Sequence, residues 1–82
     1  MHEASLASLA VGQRGIVTRL TGQGPARRRM LDMGLVCGAE VQVVRIAPLG
    51  DPVEFRVKGY DLSLRKSEAQ LVLVNTKEEG SS

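Results

Sequence analysis

The chain of 82 residues has room for one domain core and no more. Hydrophobic residues at 43% and charged residues at 24% match a globular composition, which excludes a disordered tail protein. A net charge of +2 gives no strong field for DNA or anionic lipid, and Phe55 and Tyr60 are too few rings for base-stacking platforms or proline-peptide grooves.

Taken in chain order, Ser5-Leu6-Ala7-Ser8-Leu9 spaces two leucines three apart after a candidate N-cap, Ser5. That predicts one helical turn docking Leu6 and Leu9 on the core, ended by Gly12. Residues 14–20 read as a strand, with Ile16, Thr18 and Leu20 on one face and Val17 and Arg19 on the other. Thr21-Gly22-Gln23-Gly24 is a break, and Pro25 stands where a first helical turn tolerates a missing N–H. The spacing of Ala26, Met30 and Met33 predicts a helix over 25–33 with one apolar face. Gly34 takes the left-handed C-cap position and Leu35 the clasp behind it.

Residues 40–47 change phase midway. Val41 and Val43 share one face, Val44 and Ile46 the other, so a bent or bulged strand is expected. Pro48-Leu49-Gly50-Asp51-Pro52 is a turn that exposes Leu49. Residues 53–58 alternate strictly, apolar inward and charged outward. After Gly59, Tyr60, Leu62 and Leu64 alternate with polar partners; 66–70 suit one helical turn, and 71–74 a last strand. The fold expected is mainly β: a small SH3-like barrel of about five strands, one inserted helix near 25–33, and one or two short helical turns. The single domain spans 1–76, and 77–82 reads as a disordered polar tail.

Residues with reactive chemistry are sparse. His2 is the sole histidine, in what reads as a mobile terminus, and Cys37 is the sole cysteine. Neither a nucleophile with a base nor paired carboxylates can be assembled, so no enzyme is expected. Zinc-ligand spacing is absent; a weak divalent site for Fe2+ or Zn2+ shared between two copies stays open, and with it a homo-oligomer. The single thiol and the lack of a secretory leader or a spanning apolar run point to the cytoplasm, with any membrane reached through a partner.

Arg27-Arg28-Arg29 is the sharpest charge cluster. Three consecutive side chains fan over about 200° of a helix, so they form no single groove-reading stripe. Asp32 stands four residues after Arg28 and three after Arg29, where it can neutralise part of the charge. An acidic protein partner and a solvated face are the main readings; nucleic-acid phosphate is disfavoured. Leu49, on a loop stiffened by two prolines, offers an apolar anchor at low ordering cost.

Together these segments resemble the FeoA domain of bacterial ferrous iron transport. LASLAVGQRGIV and RRRMLDMGLVCGAEVQVVRIAPLGDPVEFRVKGYDLSLRKSEAQLVLV carry the likeness over about Leu6–Val74. Its most specific parts are Arg29–Leu35, Gly38, Ala47–Pro52, Gly59 and Leu62–Arg65 leading to Glu68-Ala69. The resemblance implies an SH3-like barrel and a cytoplasmic accessory protein of FeoB, the membrane GTPase that carries ferrous iron. It implies an adaptor that binds the cytoplasmic part of FeoB and modulates its assembly or activity. Arg27, Arg28, Arg29, Met33 and Leu49 are the first docking candidates. Alternatives are an iron sensor or carrier, an arginine acting on GTP hydrolysis, and a nucleic-acid module. The same fold occurs in iron-dependent repressors of the DtxR type, whose further domains this length does not accommodate, so a free-standing form is expected.

Overall fold

The computed structural model describes residues 2–76; the tail expected at 77–82 lies outside the described residues. The chain opens with β1 (His2–Ser5) and a 3-10 turn at Leu6–Ser8. Leu6 and Leu9 are buried as their spacing predicts, although the Ser5 side chain makes no capping bond. β2 (Arg14–Leu20), α1 (Gly24–Asp32) and β3 (Glu40–Ile46) follow, then β4 (Val53–Val57), β5 (Tyr60–Leu64), α2 (Lys66–Ala69) and β6 (Val72–Thr76).

All six strands lie in one antiparallel sheet in the order β1-β6-β2-β3-β4-β5. The mainly β expectation holds, with one strand more than the sequence showed. That strand is β1, paired in register from His2↔Thr76 to Ser5↔Leu73. The backbone of His2 is therefore part of the sheet, which corrects the reading of a mobile terminus. The hydrogen-bonded ladder is open, with β1 and β5 at its edges, rather than closed end to end.

Two bulges bend the sheet. One falls between Val43 and Arg45, where the change of phase in β3 predicted it. The other, between Val17 and Arg19, breaks the simple alternation expected in β2. Val17 is buried, and beyond the bulge Leu20 also turns to pack against the core. β4 keeps its alternation: Val53, Phe55 and Val57 are buried. The two-residue turn Lys58-Gly59 then returns the chain with Val57 opposite Tyr60.

The core is aliphatic around one ring. Phe55, Leu35, Val41, Val57, Val72 and Val74 are fully buried. Gly15 in β2 allows β6 to close on it, since a Cβ there would lie 2.8 Å from Val74 Cγ2. Among the described residues no buried side-chain nitrogen or oxygen lacks a partner.

Candidate docking surface

α1 is attached to the sheet at few points. Met30 is buried and Met33 half-buried, while Ala26, expected on the same apolar face, is exposed. The C-terminus of α1 is capped as predicted. Leu35 N–H donates to the Met30 carbonyl at 3.1 Å and Gly34 N–H to that of Leu31 at 3.0 Å. Gly34 holds φ at +96°, the left-handed conformation this double bond requires. Tyr60 donates its hydroxyl to the Met33 carbonyl, fixing the helix end to the β4–β5 hairpin. The same hydroxyl leaves no space beside Gly34, where an added Cβ would meet Tyr60 Oη at 2.5 Å.

The three arginines divide. Arg29 Nη2 donates to Glu68 Oε2, an ion pair joining α1 to α2 across 39 residues of chain. Glu68 is held from its other side, because its Oε1 accepts the Arg65 N–H at 2.9 Å. Only 18% of the Glu68 side chain is exposed, against 63% for Arg29. Asp32, expected to neutralise Arg28 or Arg29, pairs with neither. Arg27 and Arg28 stay exposed and without an ion pair among the described residues. They flank Leu31 on the outer side of the helix, beside a shallow concavity of about 630 Å³. Every residue lining it belongs to the single segment Gly24–Asp32, so nothing closes over a small ligand there.

Leu49 is 96% exposed. The loop that carries it is anchored: Gly50 N–H donates to the Ala47 carbonyl at 2.7 Å, and Ala47 N–H to that of Pro52 at 3.1 Å. The Asp51–Pro52 peptide is cis. Asp51 Oδ1 accepts the Lys66 N–H at 2.8 Å, so the loop is tied to α2. Thus the docking candidates fall in two places joined through α2: the arginines and Met33 on and just after α1, and Leu49 on the loop. Met33 is committed to packing and to the Tyr60 bond, which leaves Arg27, Arg28 and Leu49 as the free groups.

This arrangement can be set beside known proteins. The model of the FeoA domain matches residues 4–76. The chain belongs to the FeoA domain family. An FeoA-like protein from Clostridium acetobutylicum superposes with a TM-score of 0.87 at 36% identity, covering 95% of this chain and 91% of that one. The zinc-complexed FeoA of Stenotrophomonas maltophilia, described as a prokaryotic SH3 domain protein, superposes at 0.78 with 29% identity, covering 87% of this chain and 88% of that one. A Porphyromonas gingivalis protein described as an Fe(2+) transport protein A/Fe(2+) transporter FeoB fusion is 41% identical over 69 residues; the match takes in 84% of this chain and only 8% of that protein.

A FeoA relative complexed with zinc raises the question of a metal here. Among the described residues no three His, Cys, Asp or Glu side chains gather where they could hold an ion. Cys37 is exposed and unbridged between Leu35 and the start of β3. Sequence reasoning missed the structural roles of Glu68 and Asp51, which tie α2 to α1 and to the loop of Leu49. Their roles come from tertiary contacts over 39 and 15 positions, which no local spacing announces.

Proposed function

We propose that this FeoA-family chain is a non-catalytic cytoplasmic adaptor of ferrous iron uptake, which binds the cytoplasmic part of the FeoB GTPase and modulates its assembly or activity. The observation that carries the reading is the relative in which an FeoA segment and FeoB share one polypeptide. A short flexible linker raises the local concentration of two modules to about the millimolar range, so a fused pair needs little intrinsic affinity. Binding that does not rely on such a linker needs a docking surface on the FeoA segment itself. Arg27, Arg28 and the exposed Leu49 supply one. Paired with carboxylates, two uncompensated arginines steer association and select an acidic face. Full burial of Leu49 adds about 2 kcal/mol, or roughly thirtyfold in affinity. No helix among the described residues is long and apolar enough to cross a membrane, which fits a role beside a transporter rather than as a transporter.

Calorimetry of the chain with the cytoplasmic domain of FeoB tests this. Saturable binding that falls at least tenfold in Arg27→Glu/Arg28→Glu, with the fold intact by circular dichroism, is the expected result. An absence of binding would defeat the adaptor reading.

A further inference from the structure

α2 adds a second cationic group beside the first. Arg65 and Lys66 flank its start, both are exposed, and no ion pair among the described residues neutralises either. The acid nearest them in sequence, Glu68, has one oxygen on Arg29 and the other on the Arg65 N–H. α1 together with residues 65–69 carries Arg27, Arg28, Arg29, Arg65 and Lys66 against only Asp32 and Glu68. These two short segments therefore sum to +3, more than the net +2 of the whole chain, so the rest of the chain is slightly acidic. The Arg29–Glu68 pair sets the two segments side by side, and the bond from the Lys66 N–H to Asp51 ties the start of α2 to the loop of Leu49.

From this juxtaposition we propose that α1 and α2 form one cationic docking strip for an acidic, extended segment of the FeoB partner. Arg27 and Arg28 take carboxylates at one end. Arg65 and Lys66 take them at the other, and Leu49 receives an apolar side chain beyond. Arg29 and Glu68 are positioning residues that hold the strip together and do not touch the partner. The inference rests on the adaptor reading and extends it to residues outside the arginine run. Charge complementarity argues for carboxylates, and the anchored apolar Leu49 argues for a protein rather than a nucleic-acid backbone.

The test measures the affinity of the full chain for the FeoB cytoplasmic domain at several salt concentrations. Arg65→Gln/Lys66→Gln and Arg27→Gln/Arg28→Gln are each expected to weaken binding roughly fivefold or more and to flatten its salt dependence. Arg29→Gln and Glu68→Gln are each expected to weaken it about three- to fivefold, the reach of one partly exposed ion pair, with the double variant no worse than either single one. Glu68→Gln keeps an oxygen for the Arg65 N–H and makes the protein more positive. Simple attraction would therefore tighten binding in that variant, while loss of positioning loosens it. Tighter binding by Glu68→Gln, or full affinity in Arg65→Gln/Lys66→Gln, would overturn the strip and leave the adaptor reading standing. Displacement of FeoB by a short RNA or DNA oligonucleotide that depends on the same four cations would reassign the strip to phosphate and overturn the proposal. No binding by the unaltered chain would overturn the adaptor reading and the strip with it.

Discussion

β4 and α1 are held in opposite ways. β4 is bonded along both sides, to β3 and β5, and three of its five side chains are buried. α1 buries Met30 alone and is otherwise fixed at points: a capped C-terminus, the Tyr60 hydroxyl and the Arg29–Glu68 pair. Stability therefore resides in the sheet, and the outer side of α1 is left nearly unconstrained by folding. A protein that must present a surface gains from this division, because residues there can answer to a partner without cost to the core.

Four substitutions sharpen the contrast, in falling order of effect. Phe55→Ala empties the centre of the core and should cost about 3–5 kcal/mol by urea denaturation, a large share of the roughly 4–12 kcal/mol a chain this size has. A loss under about 1 kcal/mol would show that the sheet is not the stable half. Gly34→Ala strains a left-handed cap and crowds Tyr60, and should cost about 2–3 kcal/mol. The penalty should shrink in a Tyr60→Phe background, where the nearest ring atom, Cζ, stands 3.7 Å from the added methyl carbon. Leu49→Ala should leave the thermal midpoint within about 2 °C while weakening FeoB binding about tenfold; a lower midpoint would mean that the loop supports the fold.

The smallest effect belongs to Asp61→Asn. A hydrogen bond from Arg56, at 2.8 Å, holds the Asp61 carboxyl below its ordinary range. The contact therefore stabilises the fold at neutral pH, and the benefit is lost as pH falls through that lowered value. The variant should be slightly less stable than the parent at neutral pH and indistinguishable from it in acid, as thermal melts across pH would show. A difference that persisted in acid would point to a packing role for Asp61.

What the sequence disclosed follows the range of the forces involved. The cap at Gly34, the change of phase in β3 and the alternation of β4 are written in neighbouring residues, and all three stand in the structure. β1 has no such signature. His-Glu-Ala-Ser lacks an apolar alternation, and it becomes a strand because β6 offers it backbone partners. Asp32 illustrates the same limit from the other side. Its spacing to Arg28 and Arg29 favours a local pair, yet Arg29 turns to Glu68, whose carboxylate is already oriented by the Arg65 N–H. The arginine run was legible as a charge cluster, but how its members pair was not, because that depends on which helix lies alongside.

The pairing of His2 with Thr76 has a practical corollary. The two ends of the described chain leave from neighbouring points of the sheet, so a linker of a few residues could join them into a ring. New ends could then be opened at the tip of the Pro48–Pro52 loop, producing a circular permutant that keeps every strand pairing. By the same geometry, the module could be spliced into a surface turn of a larger protein with little more disturbance than a β-hairpin makes.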